Sequence, residues 1–290
     1  MRGKWSILPE GVAIRFAALA GLIAGSVLRI RRREVDEHLR LAFPDESRAW
    51  RRRTARRSYM HLGREAAVLF RMSGWSGERI ADRIRLIDFD MVRDATRREE
   101  GVVVLTGHLG NWEMAGAGIA AHGLPLDVVG KGMTNRHFER DLFATRERLG
   151  MRVIAMDDAT KAVLRSLRQG RVAALLGDQN AHRHGVFVPF FGKLAATARG
   201  PALFAIRTGC PVFVGFAVRE PGWRQRYVLV ARRLEYEISG DLDEDVRSLL
   251  LAYHEALEKA IRMAPDQYFW QHRRWKTRPV EEQGSRSQVT

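Results

Sequence analysis

Short apolar runs alternate with stretches of helical spacing across the middle of the chain. The apolar runs have the length of buried strands and cover residues 102–105, 126–129, 153–156, 172–176 and 212–218. The stretches with helical spacing cover residues 112–121, 138–149, 159–169 and 201–208. Strands that alternate with helices predict an α/β fold with a mixed, largely parallel sheet flanked by helices. Residues 227–238 predict a further strand or hairpin arm, and residues 243–263 predict a long amphipathic helix.

An apolar segment near the N-terminus, VAIRFAALAGLIAGSVLRI at residues 12–30, is interrupted by Arg15 and Arg29. Its uninterrupted part, residues 16–28, is shorter than the roughly 20 residues that span a bilayer. An arginine-rich flank follows, which suits anionic lipid headgroups and places the next residues on the cytoplasmic side. We therefore expect a hydrophobic membrane-anchor helix, embedded or interfacial, within residues 1–33. A core helix and a signal peptide are the competing interpretations.

The charge balance indicates an anionic partner. Lys and Arg total 49 against 34 Asp and Glu, a formal net charge of +15, which suits nucleic acid, anionic lipid or an acidic protein. Residues 48–72 have helical spacing with one basic face. This face is a solvated surface, a headgroup-binding surface or a nucleic-acid stripe. No zinc-finger, helix-turn-helix or RNP-type pattern accompanies it, which disfavours nucleic acid.

The stretch TGHLGNWE, residues 106–113, joins the first predicted strand to the next helix. His108 follows the carboxyl end of that strand, where open α/β sheets bind ligands. Glu113 falls in the first helical turn, and Gly110 permits the chain reversal that lets the two side chains meet. A carboxylate bonded to one imidazole nitrogen makes the other nitrogen a better base. The pair predicts a general base, whereas a hydrogen-bonded turn histidine with a capping glutamate is the structural alternative.

A second group of polar residues lies in GDQNAHRHGVFVPFFGK, which begins at Gly177. Asp178 follows a predicted strand and could orient a substrate or a catalytic cation. His182 and His184 raise the alternative of a metal site, but their spacing is not that of a known metal motif, so we expect no metal. The apolar residues 187–191 are either core or the wall of an acyl-chain site.

The C-terminal stretch APDQYFWQHRRWKTRP, residues 264–279, interleaves aromatic and basic side chains. This pattern suits base stacking in a nucleic-acid site or an aromatic belt at a membrane interface. The apolar N-terminal segment favours the membrane. Residues 281–290 are expected to form a flexible tail.

Together, these stretches resemble one family, the late acyltransferases of lipid A biosynthesis, and their lysophospholipid-acyltransferase-like relatives. The matching pieces appear in the family's order: LAFPDES, TGHLGNWE, GDQN with GVFVPFFGKLAATARGPA, TGCPV and PDQYFWQHRRWKTRP. TGHLGNWE is shared with glycerolipid acyltransferases, and QYFWQHRRWKTRP is the more specific piece. The resemblance implies a glycerolipid-acyltransferase-like domain over residues 34–280.

The resemblance also implies an activity and a location. It implies an O-acyltransferase at the bacterial inner (plasma) membrane, with its catalytic domain facing the cytoplasm. The donor would be a fatty acyl thioester of acyl carrier protein, or of coenzyme A, and the acceptor a hydroxyl of a lipid A precursor or related glycolipid. The expected partners are therefore this donor, this acceptor and the membrane surface, with no nucleic acid and no cofactor.

The resemblance assigns roles to individual residues. His108 is the base and Glu113 its orienting partner. Arg146 matches an arginine near the reacting centre, and Asp178 matches the acidic residue after the third motif strand. Arg146, or backbone N–H groups near Asn111, would stabilise the tetrahedral oxyanion.

Two stretches depart from the family's pattern. HLRLAFP lacks the asparagine of the NLxxAFP motif, and Gly130-Lys131 stands in place of Tyr-Arg, with Lys131 expected to contact the substrate. These differences leave open a lysophospholipid, an aminolipid or a phosphoinositide mannoside as the acceptor. A metal-dependent hydrolase that uses His108, Glu113, Asp178 and His182 is a second alternative. A non-catalytic basic module that binds lipid or nucleic acid is the third.

Overall fold

The structure is a computed structural model, and it describes residues 8–130 and 132–279. The predicted C-terminal tail, residues 281–290, and Lys131 lie outside the described residues. The helices are α1 (Glu10–Ser26), α2 (Arg32–Ala42), α3 (Arg48–Met72), α4 (Gly77–Ala81), α5 (Asp90–Arg97), α6 (Trp112–Ala121), α7 (Arg136–Arg148), α8 (Ala159–Arg168), α9 (Gly200–Thr208) and α10 (Leu242–Met263). The strands are β1 (Ile84–Ile87), β2 (Val102–Thr106), β3 (Leu126–Gly130), β4 (Met151–Ala155), β5 (Val172–Leu176), β6 (Val186–Phe190), β7 (Lys193–Thr197), β8 (Val212–Val214), β9 (Ala217–Arg219), β10 (Tyr227–Val230) and β11 (Arg232–Arg233).

The central sheet has the strand order β11-β8-β2-β5-β3-β4. Its neighbouring strands are parallel, except that β11 runs antiparallel to β8. Alternate residues of β2 point to opposite faces: Val103 and Leu105 pack into one hydrophobic cluster, Val102 and Val104 into the other. Both faces are covered, which is why the buried strands are continuous apolar runs. The predicted mixed, largely parallel sheet flanked by helices is confirmed.

Two smaller sheets complete the fold. β1, β10 and β9 form one, and the antiparallel hairpin β6–β7 forms the other. The predicted single strand at residues 212–218 is in fact two strands, β8 and β9, that belong to different sheets. The break brings the carbonyl oxygen of Ala217 within 2.9 Å of the backbone nitrogen of Asn111, so it helps to position the turn between β2 and α6.

The N-terminal helix α1 packs tightly against α3. A Cβ atom on Gly21 would lie 2.1 Å from the Tyr59 carbonyl oxygen, and one on Gly63 would lie 2.0 Å from that of Ala17. Only glycine therefore permits this approach of the two backbones. Among the described residues, no helix has both the length and the apolar content to cross a membrane. The predicted N-terminal membrane-anchor helix is therefore not supported, and α1 instead packs on α3.

Candidate active site

The turn between β2 and α6, residues 107–111, is held by contacts to two distant segments. Gly110 has φ +68°, and a Cβ atom there would lie 1.9 Å from the Ala217 carbonyl oxygen, so glycine is required on both counts. The Gly110 amide donates to the Gln267 carbonyl at 3.0 Å. The Asn111 side chain caps α6 by accepting a hydrogen bond from the Met114 amide at 2.8 Å. The turn is thus fixed at both ends.

His108 is bound to Asp178 at two points. Its Nδ1 lies 2.7 Å from Asp178 Oδ1, and its backbone N–H donates to Asp178 Oδ2 at 2.8 Å. The two residues meet because β2 and β5 are neighbouring parallel strands, with Thr106 in register with Leu176. An ionised carboxylate only accepts hydrogen bonds, so Nδ1 carries the proton and the lone pair of Nε2 can accept a hydrogen bond.

The electrostatics favour a basic imidazole. Burial lowers the pKa of His108, but the charge and hydrogen bond of Asp178, with a smaller contribution from Glu113, outweigh burial and raise it above its usual value. Burial raises the pKa of Asp178, but the charge of His108, its hydrogen bonds and the charge of Arg274 bring the value below its usual range. The pair therefore stabilises a proton on His108 and a negative charge on Asp178.

Glu113 has a different partner from the predicted one. Arg146 Nε and Nη2 donate to the two carboxylate oxygens of Glu113 at 2.9 and 2.6 Å, and both side chains are nearly buried. Glu113 lies in the first turn of α6 and Arg146 in the last turn of α7, so packing of these helices forms the pair. The predicted His108–Glu113 pair is corrected here: the carboxylate bonded to the imidazole belongs to Asp178. Glu113 acts on His108 through its charge.

Comparison with known proteins identifies the family of the chain. The profile of the family described as bacterial lipid A biosynthesis acyltransferase matches residues 3–277. The chain belongs to this family. The resemblance found in the sequence is thereby confirmed, and the protein is an acyltransferase.

The names of individual relatives of this acyltransferase mention two kinds of lipid, lipid A and phosphatidylinositol mannoside. The lipid A biosynthesis lauroyltransferase of Escherichia coli is 29% identical over 275 residues, which cover 94% of this chain and 88% of that protein. The lipid A biosynthesis myristoyltransferase of the same organism is 25% identical, over 90% of this chain and 80% of its own. The phosphatidylinositol mannoside acyltransferase of Mycolicibacterium smegmatis is 29% identical over 58% of this chain and 56% of its own.

Aromatic rings line one side of the acyltransferase site. The Trp112 ring packs edge-on against the His108 imidazole, with centroids 4.6 Å apart, and the Phe269 ring lies 6.0 Å from it. The Phe269 amide donates to the His108 carbonyl at 3.0 Å. Gln179 Nε2 lies 3.2 Å from His108 Nε2, so the amide can donate a hydrogen bond to that nitrogen. Sequence reasoning assigned no role to Phe269 or Gln179, although both lie in motifs that carried the resemblance.

Arg274 supports the site from the interior. Its side chain is buried and donates to the Ala196 carbonyl and the Thr197 hydroxyl, each at 2.6 Å. It also lies 3.4 Å from the Gln179 carbonyl, so it ties the segment after β5 to the β6–β7 hairpin. Sequence reasoning missed Arg274, and the only clue was its place in the C-terminal motif.

The remaining predicted residues lie away from the imidazole. His182 and His184 are exposed in a short 3-10 helix. Within residues 8–130 and 132–279, no group of three or more His, Cys, Asp or Glu is placed to hold a metal ion. Val188, Phe190 and Phe191 are buried in the core, as the structural interpretation of residues 187–191 predicted.

Two cavities differ in their relation to the site. An apolar groove of about 760 Å³ follows the seam between α1 and α3, and its lining includes Phe269, whose ring centroid lies 6.0 Å from that of His108. Arg31 and Arg71 lie at its rim. A second cavity, of about 840 Å³, lies at the opposite ends of β2 and β8, near Gly101. It touches none of the site residues, so we assign it no part in catalysis.

Proposed function

We propose that the protein transfers a fatty acyl chain from a thioester of acyl carrier protein, or of coenzyme A, to a hydroxyl of a lipid A precursor or related glycolipid. The observation that carries the proposal is the His108–Asp178 pair, whose imidazole Nε2 lies just past the carboxyl end of β2, 3.2 Å from the Gln179 side-chain amide. The lipid A acyltransferase relatives support a glycolipid acceptor. The phosphatidylinositol mannoside relative supports such a mannoside as the second candidate acceptor.

In the proposed reaction, the acceptor hydroxyl displaces Gln179 and donates its hydrogen bond to His108 Nε2. The imidazole takes the proton while the oxygen attacks the thioester carbonyl, and Asp178 stabilises the imidazolium. Collapse of the tetrahedral intermediate breaks the C–S bond and releases a thiolate, which then takes up the proton. The products are the acyl ester and the free thiol of the donor.

The oxyanion of the tetrahedral intermediate needs hydrogen-bond donors that are not already used within the protein. The Asn111 amide donates to Ala217, so it is already used. The first turn of α6 also carries the amides of Trp112 and Glu113, of the kind that helix N-termini offer to anions. We assign the oxyanion to these two amides and give the Glu113–Arg146 pair the role of holding this helix start in place.

The groove along α1 and α3 suits an acyl chain. Small residues line it, with Ala17 and Gly21 on α1 and Gly63 and Ala66 on α3. Replacement of Ala66 by Trp would fill the groove and shorten the chains that the enzyme transfers, and replacement of the exposed Met263 by Trp is the control. A product mixture with unchanged chain lengths in the Ala66→Trp enzyme would contradict this assignment.

We also propose that the outer face of α1 contacts the surface of an anionic bilayer. Phe16, Leu19, Ile23 and Val27 are exposed along one face of the helix, and the exposed Arg29 and Arg33 follow it. Sedimentation with vesicles tests this. The double variant Phe16→Ser/Ile23→Ser should bind vesicles of anionic lipid more weakly than the wild type or a Met263→Ser control. Equal binding by all three proteins would contradict the contact.

The activity itself is tested by acyl transfer. Labelled acyl thioesters of acyl carrier protein and of coenzyme A are offered with lipid A precursor, phosphatidylinositol mannoside or lysophospholipid, and products are identified by mass. We expect label in a glycolipid ester, unaffected by a strong chelator. Release of free fatty acid from the thioester, abolished by the chelator, would favour the metal-dependent hydrolase. Lipid binding without any product would favour a non-catalytic module.

A further inference from the structure

A closed group of polar side chains lies beneath the turn between β2 and α6. Glu65 and His61 both project from α3 and are buried. Glu65 Oε2 accepts hydrogen bonds from the Asn111 Nδ2 and the Tyr227 hydroxyl, each at 2.6 Å. His61 Nε2 lies 3.2 Å from the Gly110 carbonyl oxygen. One helical turn of α3 therefore contacts Gly110 and Asn111, two consecutive residues of the segment that joins β2 to α6.

The contact with Gly110 fixes the tautomer of His61. A carbonyl oxygen only accepts, so Nε2 carries the proton and Nδ1 of a neutral imidazole is an acceptor. Nδ1 faces Glu65 Oε1 at 3.4 Å, and among the described residues neither atom has a hydrogen-bond partner. Two buried acceptors that face each other would both be unsatisfied. A proton on Glu65 Oε1 satisfies both.

The surrounding charges agree with neutral partners. Burial raises the pKa of Glu65 to about 7, against the hydrogen bonds of Tyr227 and Asn111 and the charges of Arg219 and Arg64. Burial lowers the pKa of His61 to about 3, and the same two arginines act in that direction. Burial and the proximity of Glu65 raise the pKa of Tyr227 well above its usual value, so its phenol remains a donor.

We propose that Glu65 works as a neutral carboxylic acid that donates from Oε1 to His61 Nδ1, and that this pair positions the turn that carries the catalytic base. Through His61 it holds the Gly110 carbonyl. Through Oε2 it orients the Asn111 amide, so that Oδ1 of that amide faces the Met114 N–H and caps α6. Both residues are positioning residues, and their effect on the rate rests on the proposed acyl transfer.

Ionisation of Glu65 removes the shared proton. The carboxylate then faces the Nδ1 lone pair, and its nearest cationic group is Arg219, whose Nε lies 3.8 Å from Oε1. A shift of the carboxylate toward Arg219 would release the Asn111 amide. The proposal therefore predicts that kcat falls as Glu65 ionises, on the alkaline side of neutral pH.

Two substitutions distinguish a neutral, hydrogen-bonding side chain at position 65 from an ionised carboxylate and from a side chain that only fills space. Glu65→Gln reproduces the neutral acid, since its amide oxygen accepts where Oε2 does and its NH₂ donates to His61 Nδ1. We expect its kcat within about threefold of the wild type, without the alkaline decline. Glu65→Leu keeps the volume but removes both functions, and we expect kcat to fall about 10- to 100-fold with little change in the KM of the donor. A folded Glu65→Gln enzyme as slow as Glu65→Leu would overturn the proposal.

A second measurement does not depend on activity. Nitrogen-15 NMR of the wild-type protein should show His61 as a neutral imidazole with its proton on Nε2 from pH 5 to 7. The carboxyl carbon of Glu65 should titrate near neutral pH. An imidazolium at His61, or an ionised Glu65 at pH 5, would overturn the proposal. If NMR gives the expected states but no acyl transfer is found with any acceptor, the proposed function fails and the neutral pair stands.

Discussion

Asp178 binds both the ring and the backbone of His108, with Oδ1 2.7 Å from Nδ1 and Oδ2 2.8 Å from the amide nitrogen. These two contacts fix the rotation of the imidazole as well as its tautomer. As a result, the ring is held with Nε2 3.2 Å from Gln179 Nε2. In the proposed reaction, this nitrogen takes the proton of the acceptor hydroxyl.

Replacement of Asp178 by Asn should keep the fold but no longer fix the tautomer of His108. The Asn side chain can accept a hydrogen bond from a protonated Nδ1 through its oxygen, or donate one to an unprotonated Nδ1 through its NH₂ group. We expect kcat to fall about 10²- to 10⁴-fold. The acidic limb of the pH–rate profile should move to lower pH, because Asp178 raises the pKa of His108 and activity needs the neutral ring. Steady-state rates measured between pH 5 and 9 check both effects.

Glu113→Gln is the matched control for that experiment, because Glu113 contributes charge and no hydrogen bond to His108. It should lower kcat less than Asp178→Asn does and shift the acidic limb less. If Glu113→Gln has the larger effect on both quantities, Glu113 rather than Asp178 is the functional partner of His108.

Gly110→Ala should disrupt the turn for two reasons, its positive φ and the 1.9 Å approach of the Cβ to the Ala217 carbonyl. Gly123→Ala is a matched control, because Gly123 has φ +83° and nothing within 4 Å of a Cβ. We expect the control to lose about 1 kcal/mol of unfolding free energy, and Gly110→Ala to lose clearly more together with most activity. Urea denaturation compares them, and equal losses would show that the turn can move away from Ala217.

Arg146→Met should leave the Glu113 carboxylate nearly buried without its cation. Loss of one partner of a buried ion pair costs about 3 kcal/mol. The double variant Glu113→Gln/Arg146→Met should recover part of this loss, since no uncompensated charge remains. Arg93→Met breaks an exposed pair with Asp90 and should change stability by less than about 1 kcal/mol. A similar small loss in Arg146→Met would mean that water reaches Glu113.

The stability of the protein should depend on pH through Glu65. Its pKa rises from 4.5 to about 7 on folding, so the folded state holds a proton that the unfolded state loses between these values. The stabilisation is fully present below pH 4.5 and is lost as pH rises to about 7, by about 3 kcal/mol in total. The unfolding free energy of the wild type minus that of Glu65→Gln should therefore decrease as the pH rises from 4.5 to about 7. A difference that is constant with pH would show that Glu65 is ionised in the folded protein.

Much of the α/β layer could be predicted because buried strands and amphipathic helices have distinct patterns. The helix predicted at residues 112–121 is α6, and residues 172–176 form β5. The break between β8 and β9 could not be predicted, because the apolar run continues through it. The break arises from the tertiary structure, because residues 215–216 carry the chain from the central sheet to the sheet formed by β1, β10 and β9.

The site was harder to predict than the fold. Spacing along the chain shows only local partners, so it favoured Glu113 as the residue bonded to His108. Asp178 takes that place because β5 lies beside β2, although β3 and β4 come between them in the chain. Strand order cannot be deduced from an alternating pattern of strands and helices. Phe269 likewise reaches His108 only because Leu109 forms a β-bridge with Tyr268.

In the proposed mechanism, His108, held by Asp178, is the general base of an acyl transfer. This role is tested by the rate of acyl transfer of a His108→Ala enzyme whose folding is confirmed by its unfolding midpoint. Wild type and variant are compared with the same acyl thioester and the same glycolipid acceptor. We expect the variant to be slower by about 10²- to 10⁴-fold. A folded His108→Ala enzyme with near wild-type turnover would contradict it.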